Sequence, residues 1–204
     1  MDDDMLEETR LSLHGVAESL IAGPQHRVYA TIRLAGTPGG FGGVKLPLRV
    51  EGTELVGPDG RWPLRGTLGA LAALAGVDLG APVGVYHDSP GLGADHVLTV
   101  DPTAAAVLAE AFARGDSGLR SFAPEVEPVL WPEHFDLGIQ LDEVNYGVSP
   151  GDAVHPRPYA YIGPWTPREG KFWNASFGSM RWLDDLPDAP TIAEYFAEGR
   201  ARTA

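Results

Sequence analysis

Hydrophobic and polar positions along the chain change period more than once. Leu13, Val16, Ala17, Leu20 and Ile21 recur at the three- and four-residue spacing of a helix face, and Gly23-Pro24 predicts its end near Ala22. The period then drops to two. Val28, Ala30, Ile32 and Leu34 alternate with Arg27, Tyr29, Thr31 and Arg33, and Val44, Leu46, Leu48 and Val50 alternate with Lys45, Pro47 and Arg49. Each run predicts a strand with one apolar face. Glu54-Leu55-Val56 and Trp62-Pro63-Leu64 flank the turn formers Gly57-Pro58-Asp59-Gly60, so residues 27–65 read as an antiparallel meander. The glycine-rich stretch 36–43 is followed by a strand and lacks the Lys-Ser/Thr of a phosphate-binding loop, which makes it a flexible hairpin loop.

Beyond the meander, Thr67 is placed to cap a short helix through Ala75 that Gly76 ends. Short strands are expected at 82–86 and 96–100. Asp101 as N-cap and Pro102 as first helical residue start a helix whose apolar stripe is Val107, Leu108, Ala111 and Phe112, with Gly115 as its predicted end. A mixed connector follows over 116–128. Thr191-x-x-Glu194 reads as a capping box opening a last helix to about Arg200. Helices mixed with antiparallel strands make the fold class α+β: an antiparallel, partly curved sheet with a few helices packed on one side. One domain spans 1–204, and 116–128 is where a sub-division would fall.

Charge narrows the function. The 204 residues hold 15 Lys and Arg against 28 Asp and Glu, a net charge of −13. That balance repels phosphate backbones and anionic lipid, so neither nucleic acid nor a membrane surface is an expected partner. No apolar run approaches the ~20 residues needed to span a bilayer. The acidic start Met1-Asp2-Asp3-Asp4-Met5 lacks the basic and apolar segments of a signal peptide, so a cytoplasmic protein is expected. The absence of cysteine removes disulfides, thiolate nucleophiles and Cys-ligated metals. His87-Asp88 and Asp95-His96 bracket a loop, but their spacing matches no metal signature; any metal would rest on His, Asp and Glu, and the cofactor is left undetermined.

Candidate chemistry concentrates in residues 131–141, WPEHFDLGIQL. Read as a strand, Phe135, Leu137, Ile139 and Leu141 share one face and His134, Asp136, Gly138 and Gln140 the other. His134 and Asp136 then stand side by side, ~7 Å apart. His134 could exchange protons and Asp136 orient it or share a metal with it, which makes the two the catalytic candidates. An ordinary solvent-facing strand would show the same pattern. Further on, Tyr159 and Tyr161 share a strand face opposite Ala160 and Ile162, and 172–179 alternates again. Aromatic-rich strands of this kind can curve over a pocket, with Tyr146, Tyr159, Tyr161 and Trp165 as ligand-binding walls, or can pack as core. Gly147-Val148-Ser149-Pro150-Gly151 matches the nucleophile-elbow pattern. It fails chemically, because the residue after the serine is Pro150, which has no N–H for an oxyanion hole.

The phrases WPEHFDLGI (131–139), NYGVSPGD (145–152), PYAYIGPW (158–165) and FWNASFG (172–178), with VDPTAAAVLAEAF (100–112), resemble those of an uncharacterised family of roughly 200-residue bacterial proteins. The resemblance implies no activity, cofactor or catalytic residue. The sequence therefore supports two functions. One is a small-molecule-binding or enzymatic protein with an aromatic-lined pocket and a His/Asp pair on a strand. The other is an acidic protein-binding module, of inhibitor or immunity type, facing a basic partner. A homodimer is compatible with both.

Overall fold

A computed structural model describes residues 3–86 and 89–203. Ten antiparallel strands form one open sheet built from two meanders. The first comprises β1 (Leu34–Thr37), β2 (Gly40–Gly43), β3 (Arg49–Glu51), β4 (Glu54–Gly57) and β5 (Gly60–Pro63). The second comprises β8 (Val129–Trp131), β9 (Asp136–Leu141), β10 (Val144–Ser149), β11 (Tyr159–Pro164) and β12 (Ser179–Trp182). They join where β1 pairs with β8, Leu34 opposite Leu130. A small second sheet pairs β6 (Gly66–Thr67) with β7 (Val97–Leu98). The α+β class with an antiparallel sheet is thus the observed one.

Helices cover one face of the large sheet. The N-terminal run is α1 (Asp3–Gly15), a π-helical segment (Val16–Ala22) and α2 (Gly23–Tyr29). After the first meander come α3 (Leu68–Ala75), α4 (Pro102–Phe122) and the closing α5 (Ala189–Thr203). Helix α4 lies along β1, β2, β9 and β10 and packs on α5, so it bridges both meanders. Its buried stripe includes Leu108, Phe112 and Leu119. The ring of Phe112 meets Phe41 and Phe135 edge-on at 6.4 and 5.3 Å, which knits helix to sheet.

Several expected boundaries move, each for a physical reason. Gly23-Pro24 does not stop the first helix. The π-helical turn closes i→i−5, with Gly23 N–H on the Glu18 carbonyl, and this wider turn makes room for a proline ring that an ordinary turn would clash with. Gly23 is required for packing, since a Cβ there would overlap the Gly80 carbonyl. The helix ends at Ala30 in the left-handed region, so the strand expected from Val28 begins only at Leu34. The glycine-rich stretch 36–43 is no loose loop: most of it forms the β1–β2 hairpin. Gly115 does not end α4 either. A Cβ there would lie 2.9 Å from Val148, and one at Gly118 would lie 2.6 Å from Ile192, so both glycines serve close packing inside a helix that reaches Phe122 and absorbs half of the expected connector. Residues 83–85 form a turn in place of the strand expected at 82–86, and 172–178 holds only the isolated bridge between Ala175 and Gly178. The last helix is capped by Asp188, whose carboxylate accepts the Thr191 N–H at 2.9 Å, rather than by Thr191.

Two caps match their residues. The Thr67 hydroxyl accepts from Ala70 N–H, and α3 ends at left-handed Gly76. Asp101 accepts from Thr103 and Ala104 N–H at 2.9 Å each. Thr9 and Ser12, both buried on α1, accept the N–H groups of Asp101 and Thr99, which ties the N-terminal helix to the segment entering α4.

Candidate functional site

The face of β9–β11 opposite α4 and α5 carries the polar positions. Asp136 opens β9 and Tyr161 sits on β11, with β10 between them. Across this strip Gly147 pairs with Gly138 on one side and with Tyr161 on the other. A Cβ at Gly147 would come 2.5 Å from the Tyr161 hydroxyl and 2.7 Å from the Leu137 carbonyl, and one at Gly138 would come 3.0 Å from the same hydroxyl. The two bare glycines therefore let the Tyr161 ring lie across β10, and its hydroxyl donates to Asp136 Oδ2. The other carboxyl oxygen, Oδ1, is buried and has no partner among the described residues. Asp136 is 8 % exposed. Burial pushes its carboxyl above the ordinary aspartate value, and the Tyr161 hydrogen bond only partly opposes the shift. Burial, with the adjacent carboxylate, drives the Tyr161 hydroxyl well above the usual tyrosine value.

A second tyrosine–carboxyl pair stands beside the first. Tyr159, two residues earlier on the same face of β11, donates to Asp152 Oδ2 at 2.6 Å. Asp152 Oδ1 accepts the N–H groups of Val154 and His155 at 2.7 Å each, which folds the 150–158 connection back over the sheet. Arg10, from α1, closes that flank by donating to the Pro156 carbonyl at 3.1 Å. Burial alone would raise Asp152, but the hydrogen bonds from Tyr159, His155 and Val154 outweigh it and hold its pKa below the aspartate value. Two neighbouring aspartates are thus pushed in opposite directions, a pattern associated with acid and base roles.

The third wall is the turn between β8 and β9. His14 of α1 stacks on Phe135, ring centroids 5.3 Å apart, and its Nε2 lies 2.7 Å from the Pro132 carbonyl. A carbonyl only accepts, so Nε2 carries the proton. Burial pushes the His14 pKa down to about 4, so the ring is neutral at pH 7. Phe135 adopts a left-handed conformation, φ 52°, which turns its ring into the core while the next residue, Asp136, faces outward. These walls enclose a cavity of about 680 Å³, within the usual range for small-molecule sites. A second hollow of about 450 Å³ adjoins it, beyond Asp136 and Tyr161 toward Trp131, Gln140 and Arg33.

Of the residues the sequence nominated, the structure brings His134, Asp136, Tyr159 and Tyr161 to the rim and floor of the larger cavity. His134 is not on a strand. It lies in the turn between β8 and β9, exposed, with Nε2 3.4 Å from Glu133 Oε1. Tyr146 faces the helices and packs on Phe122 and Phe196 at 4.8 and 5.8 Å. Trp165 follows β11, 57 % exposed, and lines neither hollow. Arg10, His14, Asn145 and Asp152 line the cavity without having been singled out from the sequence, and Ser149 lines it though rejected there as a nucleophile. Only Gly138 and Gly147 carried a legible signal, as glycines inside strand patterns that mark a close approach. Ser149 of the false nucleophile elbow accepts the Gly151 N–H at 3.1 Å, in a turn leading to a strand.

Among the described residues, no three His, Asp or Glu side chains gather as a metal site. His87 and Asp88 lie outside them, Asp95 is exposed, and the buried Nε2 of His96 has no partner among the described residues. No described helix is long and apolar enough to cross a membrane. Comparison with protein-family models, curated proteins and solved structures finds no match.

Proposed function

We propose that the protein binds a small organic ligand in the cavity between α1, the turn before β9 and the outer face of β9–β11. The observation that carries this reading is the buried Oδ1 of Asp136, which faces no protein donor among the described residues at the floor of a cavity of ligand size. A buried polar atom left unpaired costs about 1–3 kcal/mol, and a ligand hydroxyl or amine would recover that loss. Asn145 and Ser149 add polar groups that fix orientation, while Phe177 and Leu11 supply apolar wall. His134, exposed beside Glu133, is positioned for proton exchange at the rim, and turnover in place of plain binding would run through His134 and Asp136.

A thermal-shift screen of small hydroxylated and amine-bearing compounds tests the reading. Binders should raise the melting temperature of the native chain and not that of Asp136→Leu, whose fold is checked by circular dichroism. If every binder shifts both proteins equally, or none binds, the cavity is not the ligand site.

A further inference from the structure

The two hollows share Glu133, His134, Asp136, Asn145 and Tyr161, so they are halves of one groove with the Asp136–Tyr161 pair at its waist. The groove crosses the strands rather than following them. Arg33, immediately before β1, lines one end and Asp136 on β9 the waist, a distance of two strand spacings or roughly 10 Å. Aromatic rings stand beyond the waist on both sides, each 37 % exposed: Phe177 in the larger hollow and Trp131 in the smaller.

Resting on the ligand-binding reading above, we infer that the ligand is a linear, uncharged oligosaccharide whose sugar rings occupy both hollows. The lining separates this class from other elongated molecules. Five carboxyl groups, Glu7, Glu127, Glu133, Asp136 and Asp152, line the two hollows beside Arg10 and Arg33, a balance that opposes a polyanion. The side-chain amides of Asn145 and Gln140 both donate and accept, as sugar hydroxyls do. The half-exposed faces of Phe177 and Trp131 suit the C–H faces of pyranose rings. The unpaired Oδ1 of Asp136 takes a hydroxyl donor at the waist.

The test is titration of the intact chain with cello-, malto-, xylo- and N-acetylchito-tetraose and with each corresponding monosaccharide, followed by calorimetry. Spermidine and tetra-alanine serve as elongated competitors of other chemistry. At least one tetrasaccharide should bind about tenfold or more tightly than its monosaccharide, and Trp131→Ala should abolish that advantage. Trp165→Ala, outside the groove, should leave it intact. Equal affinity for the tetrasaccharide and its monosaccharide, an advantage that survives Trp131→Ala, binding of spermidine or tetra-alanine in its place, or no saccharide binding at all would each overturn the inference. If the small-compound screen still yields a binder that Asp136→Leu abolishes, the ligand cavity stands and only the oligosaccharide falls. If it yields none, both fall.

Discussion

The outer face of β3–β5 and the outer face of β9–β11 belong to one sheet and carry similar residue types, yet they do different things. On β3–β5, Arg49, Glu51, Glu54 and Arg61 form ion pairs of 2.8–3.2 Å in open solvent. Such exposed pairs are screened and contribute little. On β9–β11 the charged groups are pulled under cover by α1 and the 150–158 connection, and bare glycines let a tyrosine lie flat across the strands. There, one aspartate is raised and its neighbour lowered. The lesson is that burial, rather than the presence of carboxylates and arginines on a strand, takes the charged groups of one face out of water and leaves those of the other solvated.

Four changes would break or sharpen that contrast, the first having the largest effect. His14 is depressed to about 4, below the ordinary histidine value of 6.5. Its neutral form is favoured in the folded state, so the stability it contributes is complete above pH 6.5 and is lost as pH falls toward 4. Two and a half pKa units correspond to about 3 kcal/mol. Asp136 and Glu18, both raised by burial, act oppositely, favouring the folded state as pH falls. The His14 contribution is therefore read as the difference between native and His14→Gln unfolding curves, which should change by about 3 kcal/mol between pH 7 and pH 4. A pH-independent difference would show that His14 titrates normally.

Next, Gly147→Ala should cost about 1–3 kcal/mol in urea unfolding, because the new methyl meets both the Tyr161 ring and the Leu137 carbonyl. It should also displace the tyrosine from Asp136, visible as a fall in ligand affinity. A neutral outcome would mean that the strip has room to spare. Tyr161→Phe removes the side-chain donor of the Asp136 carboxyl. It should cost about 1–2 kcal/mol at pH 8 and less as pH falls, because burial already favours the protonated carboxyl. On the other face, Arg61→Ala should leave the denaturation midpoint within the scatter of repeat measurements, at low and high salt alike. A salt-dependent loss there would erase the distinction between the faces.

Much of the fold could be read from the chain because it rests on local chemistry. The α+β class, the hairpin around 57–60, the Thr67 and Asp101 caps and the division of β9 and β11 into an apolar and a polar face all follow from residue type and period. The misplaced boundaries involve glycine and proline, whose local tendency to stop an element was overridden by packing. Pro24 is absorbed by a π-helical turn, and Gly115 and Gly118 let α4 approach Val148 and Ile192.

The candidate site divides the same way. Alternation alone put Asp136, Tyr159 and Tyr161 on a polar face, and the structure places all three in the cavity wall. Tyr146 has the same chemistry as Tyr161, but its strand position turns it toward Phe122 and Phe196. Nothing local marked Arg10 and His14, because their helix reaches the site only through tertiary packing more than a hundred residues away in sequence. The sequence by itself determined which side chains alternate and where helices can begin. Tertiary structure alone decided which carboxyls lost their water, and desolvation is a property of the assembled walls rather than of any residue.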